Sequence, residues 1–227
     1  MFEAEMYSIP GFSDPISSLT HLAGAAVFAV LTVFLLRRGW GDIGRFTSLG
    51  IFALTFLFLL SMSGVYHLLT PGTAGKAVLR RLDHSAIFAM IAGTFTPVHA
   101  ILFRGLWRWG PLIFIWAAAT TGICLKTVFF GGVSHWLGVS LFLAMGWVGI
   151  VPALMLWRRY GTSFIKPLIC GAGAYTVGAL LEMLHWPVLI PGIVGPHEVF
   201  HVAVLAGAGY HWHFVTQFAS GEVSSRI

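Results

Sequence analysis

Two histidines four residues apart carry the most suggestive chemistry in this chain, in His197-Glu198-Val199-Phe200-His201. On a helix, residues at i and i+4 share a face with Cβ atoms about 5–6 Å apart. That spacing suits two imidazoles converging on one metal ion. A third imidazole, His67, closes the apolar run Ser61-Met62-Ser63-Gly64-Val65-Tyr66-His67, and Asp83 opens another in Arg81-Leu82-Asp83-His84-Ser85. Three neutral imidazoles with one open position form the ligand pattern of a catalytic zinc, which lowers the pKa of its water towards about 7. Asp83 could hydrogen-bond that water and serve as general base, or bind the metal directly. Ser63 stands one turn before His67 on the same face. It could orient a ligand or substrate group, or simply bond its own helix backbone.

Whether these residues meet depends on the elements between them. Of the 227 residues, 57% are hydrophobic and 9% charged, where a soluble domain carries roughly 25% charged residues. A larger core does not explain the deficit, because a monomer of this size still needs a polar surface. The solvent is lipid, and the expected class is an all-α polytopic membrane protein with a single domain over 1–227. A span takes about 20 apolar residues, and seven are expected at about 18–36, 47–68, 83–103, 110–129, 135–157, 164–186 and 197–218. The breaks carry turn chemistry: Arg37 to Asp42, Pro71 to Lys76, Arg104 to Gly110, Gly131-Gly132, Arg158 to Gly161, and Pro187 to Pro196. The loops leave no room for a soluble domain, so function must sit in the bundle or at its mouths. Small residues such as Gly171-Ala172-Gly173-Ala174 and Ala206-Gly207-Ala208-Gly209 read as close helix packing.

The acidic start Met1-Phe2-Glu3-Ala4-Glu5 lacks the positive region of a cleavable signal. Cys124 and Cys170 lie in apolar stretches, against a disulfide framework. The net charge of +5 sits in short loops and reads as topology information, not as a nucleic-acid footprint. Let the near side be the one bearing the N-terminus. Lys76, Arg80, Arg81 and Lys126 are near-side. Arg37, Arg38, Arg45, Arg104, Arg108, Arg158, Arg159, Lys166 and Arg226 are far-side, nine against four. The positive-inside rule then puts the far side in the cytoplasm.

Alternating span direction tests the joint site. The second span ends on the near side, and the third and seventh begin there, so His67, Asp83, His197 and His201 share one membrane depth. Glu182 and His185 also end a span there, and could line the same cavity or play a structural role. His211 and His213, two to three turns deeper, read as hydrogen bonds within the bundle, with substrate contact as the alternative. His21, His84, His99 and His135 read as interfacial or satisfied histidines. Arg80, Arg81 and Lys126 read as ordinary loop charges that could also attract an anionic headgroup.

The set Ser63-x-x-x-His67, Asp83-x-Ser85 and His197-x-x-x-His201 resembles the hemolysin III branch of the progestin and adipoQ receptor family, over about residues 14 to 218. Leu82-Asp83-His84-Ser85 and the helix from His201 to His211 add to the likeness. The resemblance implies a seven-helix fold with zinc held by His67, His197 and His201, and Asp83 near the metal through water. It is more distantly similar to the alkaline ceramidases, which hydrolyse a lipid amide. Bacterial relatives are connected with lysis and with control of membrane properties, which implies residence in the cell (inner) membrane. The first family motif usually presents a Glu and an Asn where Asp14 and Ser17 stand here, before Thr20-His21. Orientation stays open: the animal receptors imply the N-terminus and metal in the cytoplasm, the ceramidases the reverse.

Three functions compete. The first is a Zn2+-dependent hydrolase of a lipid amide or ester, with Asp83 and Ser63 in its chemistry and membrane lipids as partners. The second is a non-catalytic sensor or regulator of membrane state with a structural zinc. The third is a pore or lytic protein, against which the apolar far halves of the spans count.

Overall fold

A computed structural model describes residues 13–223; Glu3, Glu5 and Arg226 of the charge reading lie outside them. Among the described residues the regular elements are helical: α1 (Pro15–Arg38), α2 (Ile43–Leu68), α3 (Ala74–Leu102), α4 (Leu106–Thr127), α5 (His135–Trp147), α6 (Ile150–Met183) and α7 (Pro196–Thr216), with one 3-10 turn at Phe130–Gly132. In lipid every backbone polar group needs an internal partner, which leaves the helix as the spanning element. Three of the starts are capped by a side chain at the N-cap. Asp42 accepts the Arg45 N–H at 2.8 Å, Thr73 the Lys76 N–H at 3.2 Å, and Ser134 the Leu137 N–H at 3.3 Å. Pro196 opens α7 at the position where its missing donor costs nothing, and Glu198 reaches back to the Gly195 N–H at 2.9 Å.

Several boundaries differ from expectation, among them that between α5 and α6, which falls at Val148-Gly149 and not at Arg158 to Gly161; two others have a plain local cause. The Thr73 cap starts α3 at Ala74, so Asp83 lies in its third turn, and not at its opening as the sequence suggests. Likewise α4 begins at Leu106 after Gly105, whose φ of 55° shortens the connection expected over 104–110.

Among the described residues, five helical stretches are long and apolar enough to cross a membrane: α1 to α4 and the run His135–Met183. That run has 49 residues and would measure roughly 73 Å if straight. It bends instead. Val148 and Gly149 separate α5 from α6, and Gly161 (φ 82°, ψ 179°) interrupts α6 with a conformation that only glycine adopts freely. His135 lines a cavity with Arg80 and Lys126, Arg159 lies with Arg104 and Trp107, and Glu182 returns to His197. The run therefore passes from one end of the bundle to the other and back.

The surface is inverted relative to a water-soluble protein. Val30, Leu54 and Ile113 are 60%, 66% and 69% exposed, whereas Ser17, His67, Glu198 and His201 are buried. In the far half, Phe28 of α1, Phe52 and Phe56 of α2 and Trp212 of α7 interlock, with centroids of 4.4 Å for Phe52–Phe56 and 4.9 Å for Phe28–Trp212. Phe164, Phe214 and Phe218 extend this plug. The small-residue runs act as expected at two of their glycines: a Cβ at Gly171 would collide with the His211 ring, and one at Gly207 with Tyr175, whereas Gly173 and Gly209 face open space.

Candidate metal centre

The last turn of α2 and the first two turns of α7 deliver three imidazoles to one point. His197 Nε2 lies 3.2 Å from His67 Nε2 and 3.1 Å from His201 Nε2. One ligand atom from each residue falls within 4.8 Å of the others, so the group could hold a metal ion. A tetrahedral ion with bonds of about 2.0–2.1 Å places neighbouring nitrogens roughly 3.3–3.4 Å apart, close to the spacing seen.

Proton bookkeeping points the same way. His67 Nδ1 lies 2.9 Å from Asp14 Oδ2, and His197 Nδ1 lies 3.1 Å from Glu182 Oε1. A carboxylate can only accept, so each imidazole donates from Nδ1 and turns an Nε2 lone pair inward. Two lone pairs then face each other across 3.2 Å. A single proton would relieve one of the two close contacts; a cation at the centre relieves both.

The flanking groups lock this geometry. Asp14 stands just before α1, and its N–H donates to the His67 carbonyl at 3.0 Å, strapping the start of α1 to the end of α2. Burial raises the Asp14 carboxyl, but the hydrogen bond from His67 and the charge of Lys76 outweigh it and hold the carboxyl below its ordinary 3.8. Lys76 Nζ is 3.6 Å from Asp14. Ser17 donates to Glu198 at 3.0 Å, tying α1 to α7. His201 stacks on His21 with centroids 4.0 Å apart and planes 28° apart.

Beside the imidazoles opens a cavity of about 770 Å³, walled mainly by α2, α3, α5, α6 and α7. Asp83 and Ser63 line it at the histidine end, and Ile87, Met90, Val98, Leu168 and Val204 line its depth. The Asp83 side chain is 13% exposed and lies outside the three-imidazole group; its Oδ2 is 3.6 Å from His84 Nδ1. Ser63 is buried. Trp147, Ile150, Leu154 and Trp157 line the cavity while staying about half exposed on the outside, so it communicates with the lipid-facing surface.

The remaining polar residues divide. His211 lines the depth of the cavity, and its Nδ1 donates to the Gly207 carbonyl at 2.9 Å, a bond within its own helix and not one between helices. His213 is exposed, and His185 stands outside the metal group with Nδ1 3.1 Å from the Met183 carbonyl. His99 is satisfied at Nδ1 by the Trp107 carbonyl at 2.7 Å, while its Nε2 is buried without a partner among the described residues. His21, read as a satisfied or interfacial residue, instead supports a metal-facing ring. His84 and His135 line the cavity. Arg81 donates to the Thr127 carbonyl at 3.2 Å, the ordinary loop contact. Glu182, expected to line the cavity or play a structural role, does both through its bond to His197; the contacts of Asp14 and His21 with the imidazoles have no local signature in the sequence beyond the near-side position of Asp14.

Fold and site together define an integral membrane protein of helical type, with a three-imidazole centre inside one end of its bundle. The chain belongs to the haemolysin-III related family, whose model matches residues 12–212. It is 29% identical to the Hemolysin-3 homolog of Bacillus subtilis (strain 168), over 85% of this chain and 87% of that protein. It is also 29% identical to Hemolysin-3 of Bacillus cereus, over 85% of each. The Heptahelical transmembrane protein ADIPOR2 of Oryza sativa subsp. japonica is 32% identical, over 71% of this chain and 77% of that protein.

Proposed function

We propose that this protein is a zinc-dependent hydrolase of a lipid amide or ester, embedded in the cell (inner) membrane as a seven-span bundle. The observation that carries the reading is the convergence of three imidazoles, with His197 Nε2 3.1–3.2 Å from the other two Nε2 atoms, beside an apolar cavity that also holds Asp83. The seven-span count is supported by the break at Gly161, by the return of Glu182 to His197, and by the word heptahelical in the name of the rice relative. The donor set favours zinc because three imidazoles leave one of four tetrahedral positions open.

Zinc at that point supplies Lewis acidity and a water ionisable near neutral pH. The chain's own residues do the rest. Asp14 and Glu182 fix the tautomers and angles of His67 and His197. Asp83 takes the proton of the attacking water and returns it to the leaving group. Ser63 orients the Asp83 carboxyl or the substrate carbonyl. The apolar walls hold the acyl chain and keep bulk water from the bond being cut.

Asp83→Asn tests this. Metal content, read by elemental mass spectrometry, stays at the wild-type level while lipid products disappear from the extract. Metal lost together with turnover would make Asp83 a structural group. Wild-type protein that holds metal but turns over no lipid would make the centre a staple between α2 and α7, the sensor reading. The aromatic plug of the far half opposes a pore through one chain, and liposome leakage by the purified protein checks that alternative.

A further inference from the structure

A second cluster lines the same cavity, away from the histidines, and it is cationic. Lys126, in the last turn of α4, is only 4% exposed, yet it lines the cavity. Its ammonium lies 5.4 Å from the centroid of the Phe130 ring, and the Arg80 guanidinium lies 5.0 Å from the same centroid. Gly138 of α5 makes the room, since a Cβ there would stand 2.8 Å from Lys126 Nζ. His84 spends Nδ1 on the Arg80 carbonyl at 2.8 Å, and His135 adds another imidazole to the wall. Among the described residues no carboxylate lies within salt-bridge distance of Lys126 or Arg80.

A lysine at a helix C-terminus normally needs no ligand, because it snorkels to water and faces the negative end of the dipole. Lys126 does otherwise: its chain is buried and its head turns into a cavity beside a second cation. Two like charges sharing one aromatic ring repel, and a buried ammonium without an anion is costly. Arg80 is itself exposed at the cavity mouth, so Lys126 is the buried member of the pair; Arg81, also exposed, turns away to the Thr127 carbonyl.

We propose that Lys126 and Arg80 form an anion subsite, so that the cavity takes an amphiphile carrying an oxyanion, phosphate or carboxylate, on an apolar chain. Arg80 stands one helical turn before Asp83. A headgroup held by the two cations therefore sets its linkage beside Asp83 and the imidazoles, with its chain in the apolar depth. This rests on the cavity being the ligand chamber of the three-histidine site, and it names the class of ligand.

Equilibrium binding to the full chain in neutral detergent tests it, with no turnover required. The probes are palmitate, lysophosphatidate, the neutral monopalmitoylglycerol and inorganic phosphate. The two anionic amphiphiles are expected to bind about tenfold tighter than the neutral one, and inorganic phosphate not measurably. Lys126→Gln combined with Arg80→Gln removes that preference and leaves the neutral probe unaffected. Gly138→Val keeps both charges, fills the space where Nζ sits, and weakens the preference in the same direction. Equal affinity for neutral and anionic amphiphiles would overturn the subsite. So would a preference that survives the double substitution but vanishes on stripping the metal, which puts the oxyanion on the histidines. Inorganic phosphate binding as tightly as lysophosphatidate would overturn the amphiphile. Failure of hydrolysis, with the preference intact, removes the enzyme reading alone.

Discussion

The same three helices, α1, α2 and α7, meet at both ends of the bundle, and they meet differently. At the far end Phe28, Phe52, Phe56 and Trp212 fill the space between them, each no more than 6% exposed. At the near end Ser17, His21, His67, Glu198 and His201 meet through hydrogen bonds and stacked imidazoles, beside a cavity. Helix α7 carries both chemistries within 21 residues. Lipid offers no hydrophobic drive for helix association, so the far end holds by dispersion between close-packed rings. The near end gives up that packing for polar groups that must be mutually satisfied. Stability and chemistry are thus divided along the membrane normal.

The sharpest way to break this division is at the imidazoles. His197→Ala should weaken metal binding on the order of a thousandfold, read by elemental analysis after dialysis, while the helical circular dichroism remains. A general collapse of the bundle would mean that the near end also carries the fold. Trp212→Ala should do the opposite. Loss of a buried Trp costs about 3–5 kcal/mol, visible as a lowered unfolding midpoint, with metal per folded chain unchanged. Metal loss there would join the two ends into one unit.

Smaller effects sharpen the picture. Asp14→Asn and Glu182→Gln each leave an imidazole without its orienting carboxylate, and should weaken metal binding about 10- to 100-fold in a chelator competition. No change would reduce both carboxylates to bystanders. The smallest effect lies at the far surface, where Asp42 caps α2. The Arg45 N–H holds the Asp42 carboxyl below its ordinary 3.8. A depressed carboxyl stabilises the fold above its unfolded pKa and loses that contribution as pH falls through the folded one. Asp42→Ala should lower the melting temperature by about a few degrees at neutral pH. The gap to wild type should close as the solution is acidified below 3.8.

Much of the site is legible in the sequence. His197 and His201 announce themselves by helical spacing, and His67 and Asp83 by ending or entering spans on one side. Asp14 stands out in the sequence only as a departure from a family pattern, and its contact with His67 depends on how the segment before α1 folds over the end of α2. Glu182 reads from its position as cavity or structure, and its bond to His197 depends on the rotation of α6 against α7. His21 sits on a helix face whose direction no local pattern reveals.

Residue order alone determined the helical, lipid-embedded class, because hydropathy acts on each segment separately and needs no partner. It also determined which side of the bundle would hold the polar groups, since each span reverses the chain. Tertiary structure decided that three Nε2 atoms point inward, that two carboxylates hold them so, and that Lys126 faces a cavity instead of water. Those outcomes depend on helix rotation and on bends such as that at Gly161, which arise from the packing of many segments at once.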